Sequence, residues 1–320
     1  MKILEKDISP TKRNYLKIET SGLSKDMDTI VSIGIVKKYS QTMKIFYIEN
    51  FKDEEKLLRE VLPIIEEKNF VTYSGKYFDL PFLKAKYDFY FSKDIDFKII
   101  DLQEISKKYN FIYKLPSHSN KILIKEFVKE SNSNKKEYQG IKIKSLFKNF
   151  IEGENHAMAS IIEYTFNSLD NLVKLYESFR EDLKNKIRID ISDSVFFMEN
   201  FKILGNIIEI SGKTSYNKDY FATNSIYTLE ILNQEKKESF LELEEYSKSF
   251  ILKINTEDGL YDENNKCFYL LKKDLAFEIN NKSKIKSPSK ILILYYKNHI
   301  FENQKEICKK ILDYELESKN

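Results

Sequence analysis

Three acidic residues carry the chemistry this sequence could do. Glu19 closes a β-rich run, Asp79 follows 60 residues later where a helix-forming segment begins, and Asp170 lies in a long amphipathic segment. If the run ending in Glu19 is the central strand of a sheet, that strand end and two flanking helices can converge on one point. Carboxylates gathered there suit Mg2+ or Mn2+, hard cations that prefer oxygen ligands. Two such ions about 4 Å apart activate a water and stabilise the leaving oxygen of a phosphodiester. Taken singly, each acid has a plain role as well: a solvated strand end, a helix cap and a surface acid. The histidines, His118, His156 and His299, lie far apart and lack ligand spacing. Cys267 and Cys308 are too few for a disulfide framework or a Cys-rich zinc site.

The elements that must position these acids follow from hydrophobic period and turn chemistry. Asn14–Thr20, 29–38 and 44–49 read as three successive strands. The period then changes: Leu57, Leu58, Val61, Leu62, Ile64 and Ile65 share one face of a helix over 53–68. Phe70–Tyr73 is a short strand. Tyr73, Ser74, Gly75 and Lys76 make the turn into Asp79, and a helix runs over 80–91 with Pro81 near its start. A fifth strand, 97–100, precedes Asp101, which is expected to cap a helix reaching Tyr109 rather than to bind a metal. Ser131–Gly140 reads as a polar loop, 144–150 as a short helix and 156–179 as a long one. After about residue 185 the texture turns β-rich. Strands are expected over 195–213, 225–232, 239–244, 250–255, 267–271 and 291–296, with turns at Asp258-Gly259 and 262–265 and a closing helix over 302–317. The expected fold is α/β: a mixed sheet flanked by helices over 1–185, then a β-rich accessory domain over 186–320.

The 320 residues are 42% hydrophobic and 32% charged, which excludes a disordered chain. The apolar runs are too short for a membrane span, and Met1–Asp7 lacks the apolar core of a signal peptide, so a reduced, cytoplasmic protein is expected. The net charge of +3 is unevenly spread. Residues 1–180 hold 31 basic and 26 acidic side chains, and the remainder holds 22 and 24. Eleven Lys against three Glu fall within 107–148, interleaved with aromatics. That texture suits backbone phosphates and stacked bases, and equally suits the solvated helical face of a Lys-rich protein.

The local sequences resemble the YprB-like branch of the ribonuclease H-like superfamily, among the DEDD-type 3′–5′ exonucleases. The family's first motif, roughly F-L-D-I-E-T-T-G-L, is matched by Tyr15-Leu16-Lys17-Ile18-Glu19-Thr20-Ser21-Gly22-Leu23. The second, roughly Y-N-G-K-x-F-D-L-P-F-L, is matched by Tyr73-Ser74-Gly75-Lys76-Tyr77-Phe78-Asp79-Leu80-Pro81-Phe82-Leu83, and it is the most specific. Asp101-Leu102 and Leu115-Pro116 match further elements. The third motif, roughly H-N-x-x-D-x-x-x-L, is matched by Phe166-Asn167-Ser168-Leu169-Asp170 with Leu175. The resemblance spans 14–179 and implies a strand order of 3-2-1-4-5. It also implies Mg2+ or Mn2+ on Glu19, Asp79 and Asp170. A single-stranded end would be held by Tyr73, Ser74, Gly75, Lys76 and Asn167.

Two departures bear on activity. Lys17 replaces the family's first aspartate, two residues before Glu19 and on the same face of the strand. Phe166 replaces the His or Tyr that positions the attacking water in related enzymes. A four-acid site carries −4, whereas this one carries −2. An ammonium within about 4 Å of a divalent cation is repelled by several kcal/mol at an effective dielectric near 20. Lys17 either takes the cation's place among the acids or snorkels away and leaves one weak metal site. Three functions stay open: a metal-dependent exonuclease, a nucleic-acid-binding pseudonuclease, and an interaction protein that has lost both activities.

Overall fold

The computed structural model describes residues 1–66, 68–95, 97–128, 141–233 and 240–317. The polar loop expected at Ser131–Gly140 lies outside them. The chain divides into two compact units, Met1–Tyr109 with Leu115–Phe179, and Asn110–Lys114 with Arg180–Asn320.

The first unit opens with four strands, β1 (Lys2–Asp7), β2 (Asn14–Thr20), β3 (Ile30–Val36) and β4 (Thr42–Tyr47). Then come α1 (Glu54–Ile65), β5 (Asn69–Thr72), α2 (Asp79–Phe91), β6 (Lys98–Asp101) and α3 (Leu102–Lys108). The short α4 (Asn110–Tyr113) belongs to the second unit, and α5 (Asn120–Phe127), α6 (Ile141–Ile151) and α7 (Asn155–Ile187) follow, with the division between units falling inside α7. The sheet order is β1-β4-β3-β2-β5-β6. Pairing is antiparallel from β1 to β2 and parallel from β2 through β5 to β6. The expected mixed sheet and its 3-2-1-4-5 order are therefore present, extended by β1. That strand is exposed along its whole length, so it shows no buried face in the sequence. Its charges, including Glu5 paired to Lys44 at 2.6 Å, suit an open sheet edge.

β3 is buried at every position, as an internal strand covered on both faces must be. α1 buries Leu57, Leu58, Val61 and Ile65, each contributing roughly 1.5–3 kcal/mol by leaving water. α7 lies close against β3. A Cβ on Gly34 would come within 3.0 Å of Leu169 Cδ2 and 3.2 Å of Thr165 Cγ2, so any larger residue there would press on the helix. Ser32 Oγ and Thr165 Oγ1, 2.9 Å apart, satisfy each other at the same interface. Farther along, Arg13 Nε donates to Tyr176 Oη at 3.1 Å, and the rings of Tyr15 and Tyr176 meet edge to face.

The second unit contains β7 (Arg188–Ile191), β8 (Ser194–Leu204), β9 (Ile207–Thr214), β10 (Tyr220–Thr223), β11 (Tyr227–Asn233), β12 (Lys248–Asn255), β13 (Glu257–Asp262), β14 (Asn265–Leu271), β15 (Ile291–Tyr296), β16 (Asn298–His299) and the helix α8 (Phe301–Leu316). They form two antiparallel sheets, β10-β11-β12-β9-β8-β7 and β13-β14-β15-β16. Two expectations are corrected. Residues 240–244 turn instead of forming a strand, because Glu242 sits at φ +53, in the left-handed region. Asp258-Gly259 lies within β13, paired to Phe268 and Cys267, and the turn falls at 262–265, where Asp262 Oδ1 accepts from the N–H groups of Asn264 and Asn265.

Candidate functional site

The site forms where β2 and β5 part. Their parallel pairing covers only Asn14 and Tyr15, so the backbone of β2 runs on without its β5 partner. The first residue of α2 fills the gap: the Ile18 N–H donates to Asp79 Oδ1 at 2.9 Å. Carboxyl ends of parallel strands are where open α/β sheets hold ligands. The β2–β3 register shifts between Glu19 and Thr20, a bulge of the kind that re-aims side chains beside functional sites.

Lys17 and Glu19 project from the same face of β2, with Lys17 Nζ 3.7 Å from Glu19 Oε1. The carboxylates are almost closed to solvent. Glu19 Oε1 and Asp79 Oδ2 are buried with no hydrogen-bond partner, and so is Thr72 Oγ1 at the end of β5. Burial pushes the Glu19 carboxyl up from its ordinary 4.5 to about 7; Lys17 opposes the rise and Asp79 adds to it. Burial raises Asp79 too, against the pull of Lys17 and of the Ile18 N–H. Burial disfavours the charge on Lys17, but Glu19 and Asp79 outweigh it and hold the ammonium well above its ordinary range. Lys17 is the counter-charge of both acids, and its Nζ lies 5.9 Å from the Phe78 ring centroid.

The turn between β5 and α2 is clamped from behind. Asp101 Oδ1 accepts from the N–H groups of Ser74 at 2.9 Å and Gln103 at 3.0 Å, and its Oδ2 accepts from the N–H of Lys76 at 3.0 Å. Asp101 thus caps α3, as expected, and also fixes Ser74 at φ +58. A Cβ on Gly75 would stand 2.4 Å from Thr72 Oγ1, so the close approach requires glycine. The Tyr73 hydroxyl donates to the His118 carbonyl, and Ser106 Oγ lies 2.9 Å from His118 Nδ1. These bonds make His118 an anchor for its own loop. His156 is exposed beside Glu154, and His299 Nδ1 meets Gln304 Nε2 at 2.9 Å.

On α7 the structure places Asp170 in an i,i+4 ion pair with Lys174, 2.8 Å long and 41% exposed at the carboxylate. A residue of α7 that is electrostatically coupled to Lys17 and Glu19 is Tyr164. Burial raises its phenol pKa first, then the Glu19 charge, while Lys17 and a hydrogen bond from Ser168 oppose the rise. At about 100° per residue, Ser168 stands roughly 40° from Tyr164 around the helix and Asp170 roughly 240°. Phe166 and Asn167 line a groove of about 670 Å³, where Lys6 Nζ lies 5.9 Å from the Phe166 ring centroid. Sequence reasoning missed Tyr164, Ser168 and Thr72. The i,i+4 spacing of Tyr164 and Ser168 ahead of Leu172 was the signal available.

Oxygen donors with buried, unsatisfied atoms suit a hard cation, but the rest of the set does not. An ammonium already offsets part of their charge. Among the described residues no group of three or more His, Cys, Asp or Glu side chains could hold a metal ion. The residues present do not fit a two-metal centre.

Fold and site together define an α/β protein with a charged, buried cluster at the carboxyl ends of β2 and β5. The sequence matches the RNase_H superfamily over residues 14–180, more than half of the chain, and the chain belongs to that superfamily. A similar solved structure is the zinc-bound E. coli ExoI–single-stranded DNA complex, at 10% identity and a TM-score of 0.32. The match covers 63% of this chain and 54% of that one, so the chain spans about half the length of that neighbour. No curated protein matches the sequence. Among the described residues no helix is long and apolar enough to cross a membrane.

Proposed function

We propose that this chain is an RNase H-like pseudonuclease of the DEDD, YprB-like type, which binds single-stranded nucleic acid and does not cut it. The observation that carries the reading is Lys17, an ammonium 3.7 Å from Glu19 and charge-coupled to Asp79. It supplies the positive charge that Mg2+ or Mn2+ supplies to a nuclease of this type. Ser168 supports the same reading: one helical turn from Tyr164, which is electrostatically coupled to Lys17 and Glu19, α7 carries a hydroxyl and not a carboxylate. Glu19 and Asp79 hold Lys17 in place. Tyr73, Ser74, Gly75, Lys76 and Asn167 are the residues for a strand end. The second reading, a weakened metal-dependent exonuclease, draws on the buried oxygens of Glu19 and Asp79 that accept no hydrogen bond.

Calorimetric titration with Mn2+, alongside digestion of a labelled single strand, separates the two. The native chain is expected to bind the strand with salt-dependent affinity, to give no metal heat and to release no nucleotide. The Lys17→Asp, Ser168→Asp double variant is expected to bind Mn2+, to melt higher in its presence and to gain cleavage. Metal heat and cleavage by the native chain would establish the exonuclease instead.

A further inference from the structure

Tyr77 projects from the clamped turn ahead of α2 with its side chain 60% exposed. Two ammonium groups accompany the ring: Lys76 Nζ lies 5.7 Å and Lys107 Nζ 5.6 Å from its centroid. Their positions are set by one residue, because Asp101 holds the backbone of Lys76 and caps the helix that carries Lys107. Glu104, one turn ahead of Lys107, is paired to it at 2.9 Å. Lys107 and Tyr77 both act to hold the Glu104 carboxyl below its usual range. A large ring left in water gains nothing from burial. Here it sits beside two cations on a turn that Asp101 and Gly75 hold in shape.

We infer that Tyr77, Lys76 and Lys107 form a stacking subsite for one base of a single-stranded nucleic acid, with the two lysines on the flanking phosphates. Glu104 is the anion that a phosphate displaces from Lys107. The subsite rests on the nucleic-acid-binding reading above, and it lies outside the Lys17–Glu19–Asp79 cluster. A single strand fits this chemistry because its bases are free to stack, and every base offers a π face. An acidic peptide would engage the lysines and leave the ring unused.

The test uses the full chain with a labelled oligothymidine and an abasic strand of the same length, read by fluorescence anisotropy. The native chain should prefer the strand that carries bases. Tyr77→Ala should weaken that strand about 5- to 100-fold, to the level of the abasic strand, while Tyr77→Phe retains the preference. Lys107→Gln should weaken both strands alike and lower the salt slope by about 1. Glu104→Gln should tighten both. If Tyr77→Ala binds and still prefers the base-bearing strand, or if an acidic polypeptide competes as well as the abasic strand, the subsite is wrong. If the native chain binds neither strand, the nucleic-acid reading itself fails and the subsite with it.

Discussion

Two buried lysine–glutamate pairs sit in the same α/β unit and behave differently. Lys86 Nζ lies 3.6 Å from Glu54 Oε2, and Lys17 Nζ lies 3.7 Å from Glu19 Oε1. Glu54 is fully occupied: its Oε1 accepts from the Ile30 N–H at 2.7 Å and its Oε2 from the Tyr90 hydroxyl at 2.8 Å. Glu19 has the ion pair alone, beside a second carboxylate with an unpartnered oxygen. The first pair ties α1, α2 and the start of β3 together. The second joins two residues of β2. A satisfied buried pair is architecture, whereas an unsatisfied one with displaced titration marks a place built for something else. On the reading proposed above, Lys17 stands where a nuclease of this type would hold a cation.

The largest effect expected from this contrast is on stability. Lys86→Met leaves the buried Glu54 without its cation, which costs about 3–5 kcal/mol. Lys17→Met should cost less at pH 6 than at pH 8, because Glu19 can take up a proton instead. Urea unfolding at both pH values measures this. Equal, pH-independent losses at the two positions would erase the distinction.

The pH profile of the native chain sharpens the same point. Glu19 titrates near 7 when folded and near 4.5 when unfolded. Below 4.5 both states are protonated. As the pH rises from 4.5 to 7 the unfolded state ionises first, so stability falls, and above 7 the loss is complete. A displacement of that size is worth about 3 kcal/mol. Glu19→Gln should remove this part of the slope and leave the part that Asp79 contributes with the same sign. A Glu19→Gln profile that overlays the native one would return Glu19 to the ordinary carboxylates.

The fold was legible wherever an element buries apolar side chains, on one face or, as in β3, on both. Alternation and helical period marked β2 to β6, α1, α2 and most of the strands of the second unit. β1 escaped because it buries no face, and residues 240–244 misled because their apolar spacing resembles a strand while Glu242 adopts a left-handed backbone. At the site, Asp79 and the turn were legible from an eleven-residue motif. The partner of Asp79, the Ile18 N–H, was not, since a strand that loses its neighbour leaves no mark in side-chain pattern. α7 was the hardest part. Its acid at 170 is conspicuous in the sequence, but a helix presents residues by angle, and the angle favours Tyr164 and Ser168.

That angle sets the smallest effect and the last test. Asp170→Asn removes an exposed i,i+4 pair with Lys174, worth about 0.3–0.5 kcal/mol. It should leave single-strand affinity unchanged. The same change is more informative in the Lys17→Asp, Ser168→Asp background, where a cation is expected to bind. There, Asp79→Asn should abolish Mn2+ binding, because Asp79 Oδ2 is one of the buried unpartnered oxygens in the cluster. Asp170→Asn should not alter it, because its carboxylate stands on another face of α7 and is already neutralised by Lys174. Calorimetry on the two triple variants reads the difference directly. If Asp170→Asn abolishes the heat instead, α7 turns on metal binding and Asp170 is the third ligand after all. The Lys17 cluster would then be a collapsed form of a working centre and not its replacement.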